Sequence, residues 1–183
     1  MTNLIPPHGG YKKLLSFQTA EIIYDLTVKF CGSYLTNETN RSYRMIDQMV
    51  QAARSGRQNI AEGTQASGTS KKTELKLVGV ARASLEELLL DYEDFLRQRN
   101  LRLWTKDSAE AGAIRKLAYA TNRTHKTYMS YFESPESAAN CLVCLIHQAN
   151  YLLDRQLASL EESFLKEGRF TEKLYRARKN MLK

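Results

Sequence analysis

The sequence predicts an all-α protein: an antiparallel up-down four-helix bundle with an additional C-terminal helical segment. Three observations lead there. Apolar residues make up 43% of the 183 positions, enough for a packed core. Only nine glycines and three prolines occur, and Pro6, Pro7 and Pro135 fall at breaks in the pattern. Between those breaks, apolar residues return at three- and four-residue steps over long stretches, without the alternation of strands. The expected division is a flexible N-terminus over 1–10, a helical bundle over 11–165 and a basic helical tail over 166–183.

The first helix follows from Leu14, Leu15, Ala20, Ile22, Ile23, Leu26 and Phe30, which keep helical rhythm to about Cys31. "GSYLTNETN" connects it to a second helix, for which Asn40 or Ser42 is a candidate N-cap. Tyr43, Ile46, Met49, Val50, Ala53, Ile60 and Ala61 line that helix, and Gly63 is expected to end it. Ala52, Ala53 and Gly56 give it a narrow side that admits a close neighbour. "TQASGTS" is a turn, with Thr69 or Ser70 as N-cap of a long third helix to about Arg99. Leu75, Val78, Leu85, Leu89, Tyr92 and Leu96 form its seam, widened by Leu77, Ala81, Leu88 and Phe95. After the break at "LRLWTKDSAEAG", Ser108 begins a helix expected to continue through "AIRKLAYATNRTHKTYMSYF". Ser134 and Pro135 suit the N-cap and first turn of another helix, which runs until Gly168. A short basic helix is expected from Thr171.

Charge is unevenly spread. The formal net charge is +7, yet Lys166, Arg169, Lys173, Arg176, Arg178, Lys179 and Lys183 stand against only Glu167 and Glu172 in the tail. The tail therefore carries +5 and residues 1–165 carry +2. Such asymmetry suits a polyanion-binding end, and equally a solvated helix end. The opening "MTNLIPPHGGYKK" lacks the pattern of a secretory signal, and no stretch approaches a membrane span. Three cysteines in this setting fit a reducing compartment, so a cytoplasmic location is expected.

Motifs of catalysis and metal binding are weak. "GTQASGTSK" places its lysine and hydroxyls in the wrong order for a phosphate loop and follows a helix rather than a strand. "CLVCLIH" aligns Cys141, Cys144 and His147 roughly along one helical face, but zinc sites draw ligands from two elements and need a fourth. Small cysteines on a core-facing helix are the plainer reading. His8, His125 and His147 lie far apart in sequence, and the adjacent acids Glu86–Glu87 and Glu161–Glu162 point apart on a helix. No catalytic residue, metal ligand or cofactor is assigned, and the expectation is a protein that is not an enzyme.

One stretch is more specific. "RSGRQNIAEG", followed by a helix bearing "VARASLEEL", resembles the four-helix-bundle family of proteins encoded within intervening sequences of large-subunit ribosomal RNA. That family is similar to the accessory protein of diversity-generating retroelements. The matching residues are Arg54, Ser55, Asn59, Ile60, Ala61, Glu62 and Gly63, then Ala81, Arg82, Ser84, Leu85, Glu87 and Leu88. "LLSFQTAEIIYDLT" resembles the family's opening helix, with Phe17 and Ala20 in place. The likeness covers about residues 14–100. The connection after the third helix is longer here, and the last basic helix is absent from shorter members. The resemblance implies an accessory role beside a reverse-transcriptase-like or ribonucleoprotein partner, and a homo-oligomer in the form of a five-fold ring.

The residues themselves predict a polar network between the second and third helices, built from Arg54 or Ser55 with Asn59, Glu62, Ser84 and Glu87. Any carboxylate buried there needs an arginine, from Arg54, Arg57 or Arg82. Gly63 is expected to be a left-handed cap at which the chain reverses. Two functions remain open: binding of structured RNA or a ribonucleoprotein through basic surface, and protein–protein scaffolding without nucleic acid. For the first, Arg41, Arg44, Arg54 and Arg57 on the second helix and Lys173, Arg176, Arg178 and Lys179 in the tail are the candidate phosphate contacts.

Overall fold

The structure, a computed structural model, describes residues 8–35 and 40–167, together with Tyr175, Arg178 and Lys179. Five α-helices carry it: α1 (Leu15–Tyr34), α2 (Asn40–Ala66), α3 (Lys71–Gln98), α4 (Ala109–Leu117) and α5 (Pro135–Glu167). Two 3-10 segments, Tyr11–Lys13 and His125–Glu133, complete it, and no strand occurs among the described residues. The fold is all-α.

Helices α3, α4 and α5 begin where side chains bind their free amides. The Ser70 hydroxyl accepts from the Thr73 amide at 3.2 Å, Ser108 from Ala111 at 3.2 Å, and Ser134 from Ser137 at 3.1 Å. Helix α3 stops as Asn100 turns left-handed (φ 55°) and the Leu101 amide reaches back to the Leu96 carbonyl at 2.9 Å, closing the last turn.

Each long helix packs on two others: α2 on α1 and α3, and α5 on α3 and α1. Individual contacts set their direction. Gly63 faces Glu74, Leu77 and Val78, whereas Gly56 faces Leu85 and Ala81, so α2 and α3 run oppositely. Arg82 meets Asp154 and Asn140 holds the backbone of Arg102, so α3 and α5 also run oppositely. The seam between all of them is buried: Ile23, Leu26, Phe30, Met49, Ile60, Val78, Leu85, Leu88, Tyr92, Leu142, Ile146 and Leu153 among others. Phe30 is the hub of an aromatic cluster, its ring edge-on to Tyr92 at 5.0 Å and Phe95 at 4.9 Å. The Tyr92 hydroxyl donates to the buried Thr27 hydroxyl at 3.0 Å, which satisfies both polar groups inside the core.

The sequence-based boundaries need three corrections. Helix α2 does not end at Gly63 but continues to Ala66. The helix from Ser108 ends at Leu117, because "ATNRTH" offers no apolar face to bury and Asn122 turns left-handed (φ 57°). Residues 118–124 are turn and loop, and the 3-10 segment follows, kinked at Phe132. It is tied down by the Tyr34 hydroxyl donating to the Phe132 carbonyl at 2.7 Å and by Arg123, which donates to the hydroxyls of Tyr128 and Thr19. Finally, residues 8–10 of the supposedly loose N-terminus are anchored: the Gly9 amide donates to the Thr64 carbonyl at 3.3 Å, and Gly68 abuts the His8 ring. Residues 1–7 lie outside the described residues, as do Gly168, Thr171, Lys173 and Arg176.

Candidate nucleic-acid interface and the polar seam

The expected polar network between α2 and α3 exists, with fewer members and without charge. The Ser55 and Ser84 hydroxyls lie 2.9 Å apart. Asn59 donates its Nδ2 to the Ser55 carbonyl at 2.9 Å and to the Ser55 hydroxyl at 3.1 Å. These bonds sit where the helices nearly touch: a Cβ on Gly56 would stand 2.7 Å from Leu85 Cδ2. Ala53, which is fully buried, and Ala52 keep the rest of that side thin.

That closeness overturns the charged part of the expectation. Arg54, Glu62 and Glu87 are exposed, and neither acid pairs with an arginine among the described residues. Long charged side chains do not fit a seam that only glycine, alanine and serine can line, so they turn to water. Gly63 is not a left-handed cap. It is helical and close-packed, with a Cβ there lying 3.4 Å from the Glu74 carbonyl oxygen and from Leu77 Cβ. The chain reverses after Ala66 instead. Arg82 does bind carboxylates, but on the other side of α3: Glu86 at 2.8 Å and Asp154 of α5 at 3.0 Å. Glu86 also accepts from Asn150 at 3.0 Å, which makes a charged seam between α3 and α5.

The candidate phosphate contacts are scattered. Arg44 and Arg54 are exposed on α2. Arg57 is half-buried and stacks over the Tyr24 ring, 4.4 Å from its centroid, so it braces α1 against α2. The side chain of Arg41 lies outside the described residues. Arg178 and Lys179 are exposed, while Lys173 and Arg176 lie outside the described residues. Following the α2–α3 register about three turns from the Ser55–Ser84 pair brings Arg44 level with Asp94, where α3 also carries Glu87 and Asp91. Burial, and then Asp94 and Glu87, push the Asp91 carboxyl above its ordinary value. The N-terminal half of α2 therefore stands beside Glu87 and Asp91, with Asp94 already bound to Arg97 at 2.7 Å.

A different set of cations is drawn together by the fold. Lys12 and Lys13 are exposed in the 3-10 turn ahead of α1, and Lys72 and Lys76 are exposed on the first turns of α3. The Gly9–Thr64 bond and the His8–Gly68 contact place the first pair against the α2–α3 turn from which the second pair springs. Lys71 is spent on Glu74, at 3.3 Å. Burial raises the Glu74 carboxyl and Lys71 partly counters it. Single-residue reasoning missed this group because its members are separated by about sixty positions in sequence and no motif links them.

The cysteines are core residues. Burial pushes the Cys31 thiol up to about 12 and Cys144 to about 11, and raises Cys141 further, so all three stay protonated near neutral pH. Cys141 is fully buried while His147 is exposed, so "CLVCLIH" does not present one ligand face. No three His, Cys, Asp or Glu side chains converge as a metal site among the described residues. No helix there is long and apolar enough to cross a membrane. No family model, curated protein or solved structure matches this chain.

Proposed function

We propose that the chain is a non-catalytic helical accessory protein that binds structured RNA, or a ribonucleoprotein, through basic surface. The observation that carries this reading is the distribution of charge: +5 of the net +7 lies in residues 166–183, on a bundle whose remainder is close to neutral. Phosphate contacts by lysine and arginine need no shaped pocket and little base specificity. The likeness of "RSGRQNIAEG" and "VARASLEEL" to the intervening-sequence proteins supports an antiparallel up-down bundle, a reverse-transcriptase-like or ribonucleoprotein partner and assembly as a five-fold ring. Exposed lysines and arginines of the helical body, together with the basic residues of the tail, supply the cations.

The test is titration of a labelled hairpin RNA with the full chain at several salt concentrations. The expected result is binding whose log–log salt slope is steep, and which loses several phosphate contacts when residues 169–183 are deleted. Absence of salt-sensitive RNA binding would leave the protein–protein scaffold as the better account. Light scattering on the same sample tests the ring, for which a 21.0 kDa species would be decisive against.

A further inference from the structure

We infer that the RNA-binding surface is one end of the helical bundle, formed by Lys12, Lys13, Lys72 and Lys76, rather than the α2 face. This rests on the proposed RNA reading and adds its location. All four side chains are exposed, and none forms an ion pair among the described residues. Lys12 uses only its backbone carbonyl, which accepts from Gln18 Nε2 at 2.9 Å, so its ammonium stays in solvent. Glu74 is buried and bound to Lys71, and the exposed acids that neighbouring helices carry near this end, Glu62 and Glu161, are outnumbered by the four lysines.

The register brings the C-terminal end of α5 to the same end of the molecule. Ser16 of α1 donates to Gln156 of α5 at 2.9 Å, and Arg82 meets Asp154 at 3.0 Å. From those levels, α5 runs about 16 Å further to Glu167, and α3 runs about 16 Å back to Lys71. The two ends are level, so Glu167 stands at the same end as the lysine group. Four cations that are distant in sequence, collected on one rim, fit a repeating line of phosphates. The opposite end differs: there Arg44 is level with Asp94, and Arg97 is bound to Asp94 at 2.7 Å.

The experiment uses the full chain and a labelled hairpin RNA, comparing wild type with K12Q/K13Q/K72Q/K76Q and with R44Q/R54Q. Circular dichroism and thermal melting establish that each variant is folded, as exposure of all six side chains leads us to expect. The pole variant should bind at least tenfold more weakly at physiological salt, with a salt slope lower by about 3, while R44Q/R54Q stays within about threefold of wild type. Wild-type binding that the pole variant retains in strength and slope overturns the location and leaves the RNA reading standing. A wild type that does not bind the hairpin removes both. Vesicles of anionic phospholipid form the second arm: loss of vesicle binding by the pole variant, with unchanged RNA affinity, would reassign the rim to a membrane surface and overturn the inference.

Discussion

The two seams of α3 solve the same problem in opposite ways. Toward α2, the helices approach so closely that Gly56 has no room for a Cβ beside Leu85, and the polar groups are two serines and an asparagine. Toward α5, the gap admits Arg82, which spans Glu86 and Asp154 while Asn150 holds Glu86. The difference is one of position: the hydroxyls lie where two helices nearly touch, within bond reach of each other, and the long charged groups lie where their ends stay partly hydrated.

The strongest test of the thin seam is Gly56→Val. Overpacking against the fully buried Leu85 should cost about 3 kcal/mol, seen as a lower midpoint in urea unfolding. A near-neutral result would mean that α2 and α3 separate easily and that closeness is not what excludes charge. Ser84→Ala should cost about 1 kcal/mol, because Ser55 keeps Asn59 as a partner when Ser84 is lost. A loss as large as that of Gly56→Val would raise the hydroxyl pair above packing in importance.

The charged seam should respond less. Arg82→Met preserves much of the side-chain bulk and removes a bridge whose members are one-third to one-half exposed, so the loss should be below about 1 kcal/mol. A double-mutant cycle with Asp154→Asn should give a coupling that shrinks in high salt. Insensitivity to salt would show that the pair is shielded from solvent. Glu87→Ala should be close to neutral, since the carboxylate is exposed and makes no ion pair with an arginine among the described residues. A clear drop in melting temperature would restore the buried charged network that the structure replaces with serines.

Asp91 gives the smallest and most pH-specific effect. Its folded-state carboxyl is raised, by burial first and then by Asp94 and Glu87, so the folded chain holds this proton more tightly than the unfolded chain does. Stability from this group is present in acid and is lost as pH rises through the carboxylate range to its folded value. Asp91→Asn should therefore raise the melting temperature slightly near neutral pH, with the gain vanishing in acid. A gain that persists in acid would point to packing rather than ionisation.

Much of this was legible before any coordinates. The caps Ser70, Ser108 and Ser134, the seam of Val78, Leu85, Leu89, Tyr92 and Leu96, and the narrow side at Ala52, Ala53 and Gly56 are local signals, readable from spacing and residue type. The partners of the signature were less so. Asn59 and Ser84 bond Ser55, one of the two alternatives the spacing offered, while Arg54 and the acids stayed outside, because which rotamers fit depends on a distance set by both helices. Asn140 gave no sequence signal at all. It is fully buried, accepts from the Trp104 amide at 2.7 Å and donates to the Arg102 carbonyl at 2.8 Å, pinning to α5 a connection some forty residues back.

By itself, the sequence determined the helical class, the positions of the long helices, their apolar faces and the concentration of charge in the tail, because each depends on periodicity or composition within a few turns. Tertiary structure alone decided that Gly63 is a contact rather than a cap, that Arg82 faces α5 rather than α2, and that Lys12 and Lys13 share an end with Lys72 and Lys76. Those outcomes depend on helix register and separation, which are properties of pairs of elements and are written in no single stretch of chain.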